Sequence, residues 1–331
     1  MILAIDQGSS KTSAALVSMN GTILASATSG GACYFCDGVE TAFKEIHKAV
    51  GLAAEKAVLY PLEITRVYGG IAGANWPDEI EMLKKEIQTR FNTQNVDVCN
   101  DCVVALRGGT DKPNAIILCA GTAFNGAVMT DGKIRYVFNN YIAPADQGGG
   151  ALGSRALQAV FDSHIGIREK TVLTKMLLVY YGYDNTDQLL LGRDRNRLKY
   201  PLQTIAPLLM EAACQNDGVA LEIITEFAKS IARYATGGLK KYDLSGKDCD
   251  IVLSGGIFKS KHPLLVETIS AEIRRVSCQA RVVNAEFEPV VGAALFGLIE
   301  AGAKAGEIEQ CKKSARTLGL VRIITNNYQE K

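Results

Sequence analysis

The apolar and polar positions of this chain alternate between two grammars. Ile2–Asp6 is an apolar run that ends in a carboxylate and opens into Gln7-Gly8-Ser9-Ser10, and a second apolar run follows at Ser13–Met19. Asn20-Gly21 is a strong hairpin signal, with Thr22–Ala27 as the return strand. The same order of strand, polar loop, strand, tight turn and strand recurs at Ala115–Ala120, Gly121–Gly126, Ala127–Thr130, Asp131-Gly132 and Lys133–Phe138. A supersecondary unit written twice predicts two related domains.

Between the copies a helical period covers Val39–Ala57 and Glu79–Phe91, with strands at Val67–Ile71 and Val96–Cys99 and a helix at Val103–Arg107. After the second copy the pattern is mainly helical, at Leu152–Ser163, Glu169–Tyr181, Thr204–Asn216 and Leu221–Tyr242. A strand at Asp250–Ser254 then enters Gly255-Gly256, and helices follow at Leu264–Arg275 and, opened by a proline, Pro289–Ala303. The class is α/β. Gly108–Pro113 reads as the crossover, which sets the domains at 1–109 and 110–331, with a helical insertion in the second and its last helix free to pack back on the first. The mixed-sign stretch Leu191–Lys199 reads as a solvated loop and the last twenty residues as peripheral.

Composition narrows the partners. The chain has 331 residues, enough for two domains, and its 36 basic and 35 acidic residues leave a net charge of +1, with no footprint for nucleic acid or an anionic membrane. No basic segment leads into a long apolar one at the N-terminus, which points to the cytoplasm. Nine cysteines in a chain of this size are expected as free thiols. Cys33/Cys36 and Cys99/Cys102 have C-x-x-C spacing, so a metal site stays open, although their separation matches no compact zinc module. The three histidines lie on separate elements and no Gly-x-Ser-x-Gly elbow occurs, which argues against triad hydrolysis.

The chemistry-bearing residues sit at strand ends. Asp6 can orient a hydrated Mg²⁺, while the backbone around Gly8, the hydroxyls of Ser9, Ser10 and Thr12, and the Lys11 ammonium can reach phosphate oxygens. This loop lacks the second glycine of a Walker A loop, and a strand follows it. Gly121 and Thr122 stand at the equivalent place in the second copy, as an opposing phosphate jaw. Asp101 opens a helix, where it is either an N-cap or the general base of a phosphoryl transfer to an alcohol. Asp146 precedes Gly148-Gly149-Gly150 and is either a polyol ligand or an N-cap. Gly255-Gly256 leaves room for a nucleoside.

These segments together carry a resemblance. Ala4-Ile5-Asp6-Gln7-Gly8-Ser9-Ser10-Lys11-Thr12, Gly70-Ile71-Ala72-Gly73 with Pro77, Asn100-Asp101, Ala120-Gly121-Thr122, Asp146-Gln147-Gly148-Gly149-Gly150 and Leu253-Ser254-Gly255-Gly256 resemble the N-acetylglucosamine kinase branch of the BadF/BadG/BcrA/BcrD ATPase family, in the actin-like sugar kinase superfamily. The resemblance implies duplicated ribonuclease-H-like domains around a central cleft, ATP-dependent phosphorylation of an amino sugar, and a homodimer. By position it implies Asp6 on Mg²⁺, Gly8 to Thr12 with Gly121-Thr122 on the ATP phosphates, Gly255-Gly256 by the nucleoside, Asp101 as base, and Gly73, Asn100, Asp101, Asp146 and Gln147 on the sugar side. Two other readings stay open: an ATPase that activates an iron–sulfur dehydratase, using the cysteines, and a non-catalytic sugar sensor, prompted by Thr122-Ala123-Phe124.

Overall fold

The computed structural model describes residues 1–260 and 262–322. The first part of the chain runs β1 (Ile2–Gln7), β2 (Lys11–Val17), β3 (Ile23–Gly30), α1 (Tyr34–Asp37), α2 (Val39–Ala57), β4 (Arg66–Ile71), α3 (Pro77–Phe91), β5 (Val96–Cys99) and α4 (Asp101–Arg107). Its sheet has the order β3-β2-β1-β4-β5. β1 is antiparallel to β2 and parallel to β4, in a register that sets Asp6 beside Gly70.

The second part runs β6 (Ala115–Ala120), β7 (Phe124–Thr130), β8 (Lys133–Val137), α5 (Gly148–His164), α6 (Leu173–Tyr181), α7 (Thr186–Asp194), α8 (Ala206–Cys214), α9 (Gly218–Lys241), β9 (Cys249–Ser254), α10 (Leu264–Arg274), β10 (Ala280–Asn284), α11 (Pro289–Glu300) and α12 (Ala305–Thr317). Its sheet order, β10-β9-β6-β7-β8, is the first order read in reverse with each strand replaced by its counterpart. The fold is therefore α/β with one topology used twice, as the repeated grammar predicts. The hairpin turn Asp131-Gly132 has φ values of +50° and +76°, the left-handed conformation at both central residues that such a turn demands.

Contacts group the chain into two compact units, 1–117 with 127–137 and 283–322, and 118–126 with 138–282. In the first unit β1 and β2 are buried along almost their whole length, and Leu3, Ile5 and Leu16 pack with Phe43 and Ile46 of α2 and Leu83 and Ile87 of α3. Each such side chain contributes about 1.5–3 kcal/mol of burial. In the second unit α9 supplies a long apolar stripe, Ile223, Phe227, Ile231 and Ala235, at helical spacing.

Three local expectations change. Thr186–Asp194 is helix, so the expected loop at Leu191–Lys199 begins inside α7. β10 and α12 are additional elements; α12 buries Cys311, Ser314 and Ala315, so the expected peripheral tail is anchored up to Thr317. The part of that tail at 323–331 lies outside the described residues.

Candidate functional site

Two groups of residues carry chemistry, one in each unit. In the first unit β1 and β2 form a hairpin whose loop is closed by the Gly8 N–H donating to the Lys11 carbonyl at 2.9 Å. Ser9, Ser10 and Lys11 are exposed. Thr12 is not part of this open surface: it is 0% exposed and faces inward, within reach of Gln7, whose amide donates to the Ala42 carbonyl at 2.8 Å. Strand alternation puts Lys11 outside and Thr12 inside.

Asp6, the penultimate residue of β1, is 6% exposed and accepts no side-chain hydrogen bond from the described residues. Burial, reinforced by the charges of Asp101 and Glu288 and opposed by Lys11 and Arg322, raises its carboxyl to about 7. Asp101, the first residue of α4, is raised to about 6, again chiefly by burial, while the Cys102 N–H pulls it the other way. The N-cap alternative is resolved in favour of a neighbour: Asn100 is the cap, its Oδ1 accepting from the Cys102 N–H at 3.0 Å, and its amide donates to Asn75 Oδ1 at 2.7 Å. Asp101 Oδ1 shares the same N–H at 3.1 Å. Its carboxylate therefore sits at the positive end of a helix whose cap is supplied by another residue.

Close backbone approach places that helix. A Cβ at Gly70 of β4 would lie 2.3 Å from Val104 Cγ2, and one at Gly292 of α11 would lie 1.8 Å from the Val104 carbonyl oxygen. Only glycine lets α4 press against the sheet on one side and α11 on the other. The consequence is a contact that sequence reading missed: Glu288, just ahead of α11, accepts from Lys11 Nζ at 2.7 Å. The available signal was the acid preceding the proline-started Gly/Ala helix.

Gly73 is drawn into the same unit's surface. The Tyr34 hydroxyl donates to its carbonyl at 2.7 Å, and the Phe35 ring lies so close that a Cβ at Gly73 would stand 2.6 Å from it. Phe35 is itself 64% exposed. Cys33, next to them, is near enough to Asp101 to feel its charge, and burial pushes its thiol up to about 11 and that of Cys99 to about 12. Both are protonated thiols at neutral pH. Among the described residues no group of three or more His, Cys, Asp or Glu side chains could hold a metal ion.

In the second unit three glycine-containing loops converge. The Gly121 N–H donates to the Ala123 carbonyl at 2.8 Å, and the N–H groups of Gly149 and Gly150 at the start of α5 donate to the carbonyls of Gly121 and Thr122 at 2.8 and 3.3 Å. Gly255 has φ +103°, and a Cβ there would lie 2.1 Å from the Ala120 carbonyl oxygen. Glycine is required at 255 for both reasons. A Cβ at Gly256 would meet open space, the condition for a nucleoside to approach. Ala123 is not among the positive-φ residues, so the turn needs no glycine there, and Phe124 already belongs to β7, where it is buried against Tyr234 at 5.4 Å between ring centres.

Asp146 is not the cap of α5; that position is Gln147, whose side chain makes no capping bond. Asp146 is 1% exposed and is held by the Ser230 hydroxyl, by the Tyr234 hydroxyl at 3.0 Å and by Arg233 at 3.4 Å, with Arg155 at 3.6 Å. Its carboxylate ties the glycine loop to α9. Three of its partners, Ser230, Arg233 and Tyr234, lie on α9, far along the chain, and were not legible from sequence; the fourth, Arg155, lies on α5 itself.

Comparison with known proteins follows this geometry. The chain is 25% identical over 233 residues to the glucosamine kinase of Vibrio cholerae, covering 70% of this chain and 78% of that one. It is 23% identical over 321 residues to the N-acetyl-D-glucosamine kinase of Dictyostelium discoideum, covering 90% and 98%. Among solved structures, the ROK family glucokinase of Streptomyces griseus, in complex with glucose and AMPPNP, superposes with a TM-score of 0.57 at 20% identity, over 89% of this chain and 98% of that one. The ROK hexokinase of Thermus thermophilus does so with a TM-score of 0.61 at 14% identity, over 91% and 99%. These likenesses show the duplicated actin-like ATPase fold. Residues 3–297 match the model of the BadF/BadG/BcrA/BcrD ATPase family, a span that takes in the β1–β2 loop, Asp101 and the Gly255-Gly256 turn, and the chain belongs to that family.

Proposed function

We propose that this protein is an ATP-dependent kinase that phosphorylates a hydroxyl of an amino sugar such as glucosamine or N-acetylglucosamine. The observation that carries the reading is Asp101: a carboxylate at a strand-to-helix junction, relieved of sole capping duty by Asn100 and close enough to Asp6 to raise its proton affinity. The glucosamine and N-acetylglucosamine kinases among its relatives supply the substrate class.

In this reading the functional domains are 1–109 and 110–331, and they close on substrate. The backbone at Gly8 and the hydroxyls of Ser9 and Ser10 hold ATP phosphates from one side, and Gly121 with Thr122 from the other. Gly255-Gly256 accommodates the nucleoside. Lys11 exchanges Glu288 for a phosphate oxygen. Asp6 fits Mg²⁺, being a buried carboxylate that takes no hydrogen bond from the described residues and is held close to its protonation midpoint; one carboxylate plus phosphate oxygens and water is an ordinary Mg²⁺ shell. Asp6 would hold that ion, whose chemistry there would be to offset the negative charge of the phosphate oxygens. Gly73, Asn100 and Gln147 border the sugar, with Asp146 fixing the loop that carries Gln147. Asp101, with a pKa of about 6, is mostly ionised at neutral pH. It accepts the proton of the sugar hydroxyl as that oxygen attacks the γ-phosphorus and ADP departs. A cytoplasmic homodimer is part of the same proposal.

ADP release measured with glucosamine, N-acetylglucosamine and N-acetylmuramic acid tests it, wild type beside Asp101→Asn. The expected result is sugar-dependent turnover in the wild type, lost in the variant while its circular dichroism is unchanged. Turnover that no sugar stimulates, or that survives the substitution, overturns the reading.

A further inference from the structure

A cleft of 340 Å³ lies in the first unit, walled by Leu295 and Ile299 of α11 and Ala305 and Ile308 of α12, with Arg107 of α4 also lining it. Its volume falls at the low end of small-molecule sites, about 300–1,000 Å³. Arg107 is 9% exposed. Its guanidinium has five N–H donors to satisfy, yet among the described residues Nη1 reaches only the Thr110 carbonyl at 3.3 Å, Nη2 only the Met129 sulfur at 3.9 Å, and Nε has no partner. The Phe296 ring, 5.1 Å away, offers a further weak contact.

The cleft's other charges are already matched. Lys312 pairs with Asp111, whose charge also reaches Arg107 without forming an ion pair with it, and Glu309 with Arg316 at 3.7 Å, an arginine that Glu286 shares at 2.8 Å. Arg107 is left as the cationic group of this cleft without an ion pair among the described residues. A buried guanidinium in that state favours any anion that can reach it, and the aliphatic walls favour an anion with an apolar body.

We propose that this cleft binds a small aliphatic carboxylate, with its carboxyl group on Arg107 and its hydrocarbon against Leu295, Ile299 and Ile308. Helix α4 runs from Asp101 to Arg107 and touches α11 through Gly292, so an occupant bears on the same short helix that carries the base proposed above. That last consequence rests on the kinase reading; the binding does not.

The test is the arginine Nε resonance in ¹H–¹⁵N spectra of the full chain, assigned by its loss in Arg107→Lys, during titration with sodium 4-methylpentanoate. A saturable shift of the Arg107 signal is expected, matched neither by 4-methylpentan-1-ol, which lacks the charge, nor by inorganic phosphate, which lacks the body. Ile299→Glu places a like charge at the partly exposed rim and weakens binding by at least ~tenfold, one factor of ten in Kd. An unmoved Arg107 signal, an equal response to the alcohol or to phosphate, or unchanged affinity in Ile299→Glu overturns the proposal. Loss of sugar-dependent turnover leaves this readout intact, so the two readings fail separately.

Discussion

Lys11 and Glu288 stand 277 positions apart and meet at 2.7 Å, an ion pair that ties the β1–β2 hairpin to the start of α11. The Lys11 side chain is half-exposed, so the pair itself is worth little, about 0.2–1 kcal/mol. In the proposed function its effect is on availability: with Glu288 present, the ammonium is engaged until a phosphate displaces the carboxylate. Glu288→Gln is expected to lower the KM for ATP by up to ~fivefold, the Boltzmann factor of such a pair. Lys11→Met is expected to raise it. Steady-state kinetics on both variants check the opposed signs.

Asp101→Asn removes the proposed proton acceptor and is expected to reduce kcat by about 10²–10⁴, with a far smaller change in KM for the sugar. Because the Asp101 carboxyl is raised to about 6, the wild-type rate declines as pH falls through that value. A pH–rate profile of the wild type should show this acid limb, and the residual activity of the variant should lack it.

Asp6 links pH to stability. Its carboxyl is raised to about 7 in the folded chain from 3.8, so the folded state holds this proton more tightly than the unfolded state. The associated stabilisation is complete below about pH 4 and is lost as pH rises through about 7, a total of a few kcal/mol. Free of nucleotide and metal, the wild type should thus gain on Asp6→Asn as pH falls from alkaline to mildly acidic. Asp6→Asn, which cannot ionise, should melt higher than wild type at alkaline pH and gain less from Mg-ATP. Thermal melts across pH read both effects.

Packing around Val104 separates two kinds of crowding. Gly70→Ala would push its Cβ into the Val104 side chain, and Gly292→Ala into the Val104 backbone carbonyl. The first is expected to cost about 1–3 kcal/mol, as overpacking does, and to be largely recovered by Val104→Ala. The second is expected to cost more and to resist that rescue, since a carbonyl cannot be trimmed. Denaturant titrations of the single and double variants decide it, and both single variants should also lose turnover through displacement of Asp101.

What could be read along the chain followed from local rules. The strand runs, the turns Asn20-Gly21 and Asp131-Gly132, and the repetition of one unit gave away the α/β class and the duplication, because alternation and positive-φ turns are encoded by neighbouring residues. Asp6, the small-residue loop, Asp101 and Gly255-Gly256 were legible because strand ends put chemistry in short segments. Helix α12 and strand β10 were not, being polar or short, and they owe their form to what they pack against.

Tertiary structure alone decided the partners. Sequence spacing left Asp101 and Asp146 as caps or site residues; the fold made Asn100 the cap beside one and gave the other Ser230, Tyr234, Arg233 and Arg155. It turned Thr12 inward, joined Lys11 to Glu288 and left Arg107 underpaired in its cleft. The reason is one of range: hydrogen-bond geometry and hydrophobic period act over a few residues and leave a local signature, whereas a carboxylate's burial and its counter-charges depend on which distant surfaces the glycines at 70 and 292 allow to meet.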